Sequence, residues 1–144
     1  DNGFSVVKTM VSGATLDNTP PMLTANQPIF NQPSYNLGEN GYMTIEINEA
    51  VSGVALMQNY PCWRLTDTAY VDYVYLCGAL QHVSGNQWKM PFQVPNNITP
   101  DTYYLEQIDV FDKAGNYTTY YSSSSGSPYS PDPGWLPPTI NISP

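Results

Sequence analysis

The sequence is poor in charged side chains, and basic side chains are the scarcest. Only 11% of its 144 residues are charged, and 4 Lys or Arg stand against 12 Asp or Glu, which gives a formal net charge of −8. Nucleic acids and anionic membrane surfaces are bound through clustered Lys and Arg. We therefore expect neither of them as a partner, whereas the acidic excess is compatible with bound cations such as Ca²⁺.

Long apolar runs and histidines are also missing or rare. No stretch approaches the ~18 consecutive apolar residues of a membrane span, and the N-terminus lacks a basic and apolar signal peptide. We expect any export signal to lie outside this chain. His82 is the single histidine, and no nucleophile motif or phosphate-binding loop accompanies it. The sequence therefore predicts neither membrane insertion nor catalysis, and no residue is assigned as catalytic.

Cys62 and Cys77 are the two cysteines of the chain. They form no CxxC motif and no Cys/His cluster, so neither a metal site nor redox catalysis is indicated. A disulfide between them would stabilise the fold by about 3 kcal/mol in the chain-entropy description. A pair of reduced, buried thiols fits the same sequence. The few lysines and the many Tyr, Asn and Ser favour the disulfide and a secreted or cell-surface protein.

Turn-forming and aromatic residues are abundant, with 14 Pro, 10 Gly and 12 Tyr. Apolar and polar residues alternate at residues 42–49 and 87–94, which predicts half-buried strands, the second at a sheet edge because it contains Pro91. Further strands are predicted at residues 4–11, 22–30, 54–60 and 70–80, and a loop is predicted at residues 61–69. These short segments without helical periodicity predict an all-β fold, an antiparallel β-sandwich of about seven strands.

The clearest strand–turn–strand pattern spans residues 101–121. Within its first strand the apolar parity reverses between Leu105 and Ile108, so one regular strand cannot bury both side chains on one face. We therefore predict a β-bulge around residues 106 and 107. Tyr103, at the head of this strand, is predicted to be a corner tyrosine that bonds the preceding loop.

The domain boundaries follow from changes in composition. Residues 17–121 form the predicted sandwich, and residues 122–136 form a Ser-, Pro- and Gly-rich linker. Residues 1–16 and 137–144 are strand-like segments whose neighbourhoods resemble one another. They are either the end of a preceding repeat and the start of a following one, or extra edge strands of this domain.

Short motifs within residues 17–121 resemble those of bacterial immunoglobulin-like (Ig-like, or fibronectin-III-like) repeats. The matching pieces, in chain order, are DNTPP at 17–21, EAVSGV at 49–54, NQW at 86–88, FQVP at 92–95 and NITPDTYYLEQIDVFDKAGNYTTY at 97–120. Two features depart from that pattern: Asp101 replaces a frequent Gly, and residues 62–77 are longer and more aromatic. The resemblance implies an Ig-like sandwich without catalytic activity, next to neighbouring repeats, in a surface protein such as an adhesin or in an exported enzyme.

Asp17, Asp109, Asp112 and Asn116 are candidate metal ligands. They carry oxygens at the opening of the module and around the turn of the hairpin, and Ca²⁺ binds carboxylate and amide oxygens. The same side chains also fit a turn-building role through bonds to the backbone. No other cofactor is expected.

Trp63, Tyr70, Tyr73 and Tyr75 are candidate ligand-binding residues within the aromatic segment 62–77. Exposed aromatic rings stack on sugars or anchor protein partners, although core packing explains such residues equally well. Two functions follow. The chain is a structural or adhesion module, or it is an accessory domain that binds a glycan or a host or surface protein through residues 62–77.

Overall fold

The computed structural model describes residues 16–49, 51–55, 62–67, 69, 71–121 and 138–144. Within these ranges the chain forms eleven strands and no helix, so no helix there has the length and apolar character needed to cross a membrane. The strands are β1 (Met22–Leu23), β2 (Ile29–Phe30), β3 (Ser34–Asn36), β4 (Asn40–Asn48), β5 (Cys62–Asp67), β6 (Tyr73–Cys77), β7 (Gln81–Ser84), β8 (Gln87–Gln93), β9 (Thr102–Phe111), β10 (Tyr117–Tyr121) and β11 (Thr139–Ser143).

Two sheets pack face to face and confirm the predicted all-β sandwich. The first has the order β1–β4–β8–β7, with β2 on the same edge of β4 as β1. The second has the order β3–β11–β9–β5–β6, with β10 also paired to β9. The pairing of β3 with β11 is parallel, and the other named pairings are antiparallel. The largest fully buried side chains between the sheets are Trp63, Tyr35, Tyr103, Tyr120 and Met43.

The alternating strands were predicted correctly, although one of them occupies a different place in its sheet. Met43, Ile45 and Ile47 of β4 are buried, and β8 buries Met90 and Phe92. The edge position predicted for β8 is wrong, because β8 lies between β4 and β7. Strand β7 pairs with β8 only as far as Lys89. Pro91 therefore lies beyond the end of that ladder, where the missing amide hydrogen costs no bond to β7.

The predicted loop at residues 61–69 is wrong, because residues 62–67 form β5 in the interior of the second sheet. Strand β5 pairs with β6 on one side and with β9 on the other. Trp63 and Leu65 point into the core, and both are fully buried. The Trp63 indole Nε1 donates a hydrogen bond of 3.2 Å to the carbonyl oxygen of Asp109, which satisfies its one polar group in the core.

Other predicted boundaries shift. Residues 22–30 form the two short strands β1 and β2 instead of one, and β6 is shorter than the predicted strand at 70–80. Val54 makes an isolated bridge with Asp112, and residues 56–60 of the strand predicted there lie outside the described residues. The same holds for residues 1–15 of the predicted N-terminal strand and for the linker at 122–136.

Strand β9 contains the predicted bulge. Arg64 pairs with Gln107 and its neighbour Leu65 pairs with Leu105, so Glu106 is the extra residue. The bulge shifts the alternation of β9 side chains by one residue. Leu105 and Ile108 therefore both point into the core and are fully buried.

Strands β10 and β11 lie one after the other along the same edge of β9. Tyr121 of β10 is opposite Gln107, and Thr139 of β11 is opposite Tyr104. In an uninterrupted ladder the partner of Tyr104 would be residue 124, so Thr139 stands fifteen residues later. The C-terminal segment thus packs as a strand of this sandwich. Strands β10 and β11 follow the same edge of β9, and residues 122–138 separate them in the sequence.

The described residues of the sandwich begin and end at opposite ends, which we call the entry pole and the exit pole. At the entry pole, the side chain of Asn116 donates a hydrogen bond of 3.0 Å to the carbonyl oxygen of Asp17. At the exit pole, Ser143 accepts a bond of 3.0 Å from the amide of Leu37, next to the start of β9. Strand β9 connects the two poles, and its length at ~3.4 Å per residue separates them by about 30 Å.

Candidate functional site

Three carboxylates meet at the entry pole. Asp17, Glu49 and Asp112 each offer an oxygen, and these oxygens lie within 4.8 Å of one another. The sequence predicted Asp17 and Asp112 as candidate ligands, and the fold brings them together. It did not predict Glu49, which follows β4 and opens the turn that leads to Val54. An acidic residue at the head of that turn motif was the available signal.

Asp17 and Glu49 both bind the backbone amide of Ser52. The amide donates to the Asp17 carboxylate at 3.1 Å and to the Glu49 carboxylate at 3.1 Å. Asp17 also accepts from the amide of Thr19 at 3.0 Å, and Glu49 accepts from the amide of Val51 at 2.7 Å. Hydrogen bonding from the Ser52 side chain, followed by the Thr19 amide, holds the pKa of Asp17 below its ordinary value.

Asp112 is fully buried and is bonded to its own turn. Its carboxylate accepts hydrogen bonds from the Asn116 backbone amide at 2.8 Å and from the Asn116 side chain at 2.7 Å. The same Asn116 amide group reaches the Asp17 carbonyl, so it ties the hairpin turn to the start of the module. These contacts give Asp112 and Asn116 a structural role in the turn. Three converging carboxylates are also the oxygen donors that Ca²⁺ prefers, and calcium binding stays a prediction.

Asp109 does not belong to this cluster. Its carboxylate faces the outer side of the second sheet, where it accepts a hydrogen bond of 2.7 Å from the Thr119 hydroxyl and longer ones from the Gln107 amide. Its spacing of three residues from Asp112 along the strand places the two side chains in different surroundings. Asp109 is therefore separate from the three converging carboxylates.

The four predicted aromatic ligand residues do not form one surface. Trp63 is in the core with 0% of its surface exposed, so it offers nothing to a ligand. Tyr73 and Tyr75 lie on the outer face of the edge strand β6, and 50% and 56% of their surfaces are exposed. Tyr70 lies outside the described residues. The exposed aromatic pair is therefore Tyr73 and Tyr75.

Arg64 holds this aromatic pair in place. Its Nε lies 2.9 Å from Oε2 of Glu106, and its Cζ lies 5.2 Å from the centroid of the Tyr73 ring. Desolvation lowers the pKa of Arg64, but the charge of Glu106 and a hydrogen bond with Tyr75 outweigh it and raise the pKa above its ordinary value. Glu106 is the bulge residue of β9, so the bulge directs its carboxylate at the guanidinium.

Cys62 and Cys77 are directly opposite each other in the β5–β6 ladder. Opposed residues of antiparallel strands have Cα atoms about 4.5 or 5.5 Å apart. Both separations fall within the ~4.4–6.8 Å that a disulfide spans.

His82 has packing and turn contacts. Its Nε2 lies 2.8 Å from the carbonyl oxygen of Gly85, and its ring centroid lies 4.8 Å from that of Trp88. The side chain is exposed and borders a groove of about 530 Å³ whose apolar lining includes Ile47 and Leu80. These contacts place His82 beside the turn that follows β7, packed against Trp88.

A comparison with models of known protein families and with curated proteins found no match.

Proposed function

We propose that this chain is a non-catalytic Ig-like module that serves as a structural or adhesion unit of an exported bacterial surface or secreted protein. The separation of its entry and exit poles carries the proposal. A module whose described residues begin near one pole at Asp17 and end near the other at Ser143 would add its full length to an array of neighbouring repeats.

The strand order supports the Ig-like part of the proposal. The order β1–β4–β8–β7 supports an assignment to the A, B, E and D strands of an Ig sandwich, and β6–β5–β9–β10 supports an assignment to C′, C, F and G. The Tyr103 hydroxyl donates a hydrogen bond of 2.8 Å to the carbonyl oxygen of Thr99. Such a tyrosine at the start of strand F is typical of Ig-like domains.

A disulfide between Cys62 and Cys77 is part of the same proposal. Their facing positions on β5 and β6 support it, and no cysteine among the described residues is free. Disulfides persist in oxidising compartments. The pair therefore supports a secreted or cell-surface location.

The exposed pair Tyr73 and Tyr75 favours the second candidate function, an accessory domain that binds a glycan or a surface protein. Aromatic side chains held in place by neighbours lose little conformational freedom on binding, so they make effective anchors. The aromatic pair lies on the outer face of the edge strand β6, so a ligand there would contact the side of the sandwich.

Small-angle X-ray scattering on two full chains joined in tandem tests the structural proposal. We expect an extended particle whose maximum dimension exceeds that of the single chain by about 30 Å or more, the length of β9. A compact, side-by-side pair would contradict the spacer role. The single chain, measured in the same buffer, is the control for shape.

A further inference from the structure

We propose that Tyr73 and the cleft beside it bind one sugar unit of a neutral glycan. The cleft has a volume of about 120 Å³ and is lined by Asp72, Tyr73, Asn97, Ile98, Thr99 and Tyr103. We call it the Tyr73 cleft. The proposal rests on the second candidate function and names its ligand class, whereas the structural function rests on the positions of the two poles and stands without a ligand.

The ring of Tyr73 is fixed and half exposed. The guanidinium of Arg64 lies over the ring at 5.2 Å, and Glu106 holds that guanidinium in turn. Arg64 therefore covers one face of the ring, and half of the Tyr73 surface remains exposed to a ligand. A ring that is already fixed loses little rotamer entropy when a ligand stacks on it.

The backbone walls of the Tyr73 cleft are also held in place. On one side, the carbonyl oxygen of Asp72 accepts hydrogen bonds from the amide of Asp67 at 3.1 Å and from the hydroxyl of Thr66 at 3.3 Å. On the other side, the carbonyl oxygen of Thr99 accepts the bond from Tyr103. The two loops that face each other across the cleft are thus fixed before any ligand arrives.

Two polar side chains of the cleft are available to a ligand. In the part of the chain that the structure describes, the Asp72 carboxylate and the Asn97 amide make no hydrogen bond to protein. A carboxylate accepts hydroxyl hydrogens, and an amide both donates and accepts. These groups beside an aromatic face match a sugar ring, which offers an apolar C–H face and a rim of hydroxyls.

Charge favours a neutral glycan over an acidic one. The Asp72 carboxylate lies in the cleft, the chain carries a formal net charge of −8, and the nearby cation Arg64 is paired with Glu106. An anionic sugar would meet like charge without a free cation. Tyr75, two positions along the same outer face of β6, extends the stacking surface towards the next sugar of a polymer.

Affinity electrophoresis in native gels tests the proposal. The probes are three neutral polysaccharides, a mixed-linkage β-glucan, a xylan and a galactomannan, and one acidic polysaccharide, polygalacturonate. We expect at least one neutral polysaccharide to retard the wild-type chain, and polygalacturonate to leave its mobility unchanged. Tyr73→Ala should weaken the interaction roughly tenfold or more, as loss of a buried aromatic anchor does, and Tyr73→Phe should retain most of it.

Tyr117→Ala is the matched control. Tyr117 is also an exposed tyrosine of the second sheet, stacked on Phe111 with centroids 5.5 Å apart, and does not line the cleft. Asp72→Asn provides a second variant should Tyr73→Ala fail to fold, and it should also weaken retention. Absence of retardation by all three neutral polysaccharides would overturn the proposal. Equal losses in Tyr73→Ala and Tyr117→Ala, or retention by polygalacturonate alone, would overturn it as well.

Discussion

The backbone amide of Leu23 donates a hydrogen bond of 2.7 Å to the hydroxyl oxygen of Tyr120. Leu23 lies in β1 on the edge of the first sheet, and Tyr120 lies in β10 of the second. Both residues are buried, and desolvation raises the pKa of the Tyr120 hydroxyl above its ordinary value. This bond connects β1 of the first sheet to β10 of the second sheet through the core.

Tyr120→Phe removes the acceptor and leaves the Leu23 amide without that partner. A buried polar group that loses its hydrogen bond costs about 1–3 kcal/mol, so we expect the free energy of unfolding to fall by about that amount. Urea denaturation followed by fluorescence measures it. Tyr117→Phe, at an exposed site on the same strand, should change stability little. Equal effects of the two substitutions would contradict the role of the bond.

Acid should destabilise the fold through Asp17 and Glu39. Hydrogen-bond donors hold both pKa values below the ordinary 3.8 and 4.5: for Asp17 the Ser52 side chain is the largest cause, followed by the Thr19 amide, and for Glu39 the Asn36 backbone amide, followed by the Gln32 side chain. A carboxyl group whose pKa is lowered in the folded state stabilises the fold. This contribution is fully present above the unfolded-state pKa and is lost as the pH falls through the folded-state pKa. We therefore expect the free energy of unfolding to decrease as pH falls below about 5.

The double variant Asp17→Asn/Glu39→Gln separates this effect from general acid denaturation. It should show a shallower decrease than the wild type when urea midpoints are measured from neutral pH into the acid range. Parallel pH profiles for the two proteins would exclude these two carboxylates as the cause.

Removing the link between Cys62 and Cys77 should destabilise the sandwich. The loop between them contains about 15 residues, for which a disulfide contributes about 3 kcal/mol. The variant Cys62→Ala/Cys77→Ala should lose about that much stability in guanidinium denaturation. Alkylation of the denatured wild type without reductant should label no thiol. Labelling of both cysteines under those conditions would establish a reduced pair instead.

Strands β10 and β11 lie in line along the same edge of β9. This arrangement predicts that residues 124–138 between them are dispensable. Deleting residues 124–138 joins Ser123 to Thr139 in the register of an uninterrupted strand. In the full chain the Leu105 amide donates a hydrogen bond of 2.9 Å to the Pro138 carbonyl. In the shortened chain the Ser123 carbonyl takes the place of that acceptor. We expect the shortened chain to fold with a melting temperature near that of the wild type. Deleting only residues 124–137 shifts β11 by one position and should be strongly destabilising, because its inward and outward side chains exchange faces.

Calcium binding is predicted at the carboxylates of Asp17, Glu49 and Asp112. Binding to the native state alone raises stability by RT ln(1 + [L]/Kd), so millimolar Ca²⁺ should raise the melting temperature above that measured with chelator. Glu49→Gln should reduce the increase, whereas Asp109→Asn, outside the cluster, should preserve it. Equal melting temperatures with Ca²⁺ and with chelator would leave these carboxylates only as acceptors for the turn amides.

Local patterns predicted the parts of the fold whose periodicity is long enough to read. Strand β4 alternates over nine residues, and the reversal of parity in β9 requires a bulge because both Leu105 and Ile108 are apolar. Strand β5 offered only two inward apolar side chains, Trp63 and Leu65. Its place between β6 and β9 depends on pairing with distant strands, which a short segment does not encode.

The entry-pole cluster was only partly predictable for the same reason. Asp112 and Asn116 are neighbours in one turn, and turn chemistry predicts their contact. Glu49 joins Asp17 and Asp112 only because β4 of one sheet and β9 of the other end at the same pole. Trp63 was wrongly expected among the exposed aromatic residues. The alternation of side chains within one short segment does not show which face packs against the other sheet.

The two poles lie at opposite ends of β9, and this placement sets the direction in which a pulling force acts on the module. A load applied through Asp17 and Ser143 runs nearly parallel to β9. The ladder bonds of antiparallel strands lie perpendicular to that direction. Such a load must shear several bonds between β9 and its partners at once, whereas a load across the sheet would open them one by one. We therefore expect the module to resist extension in this direction.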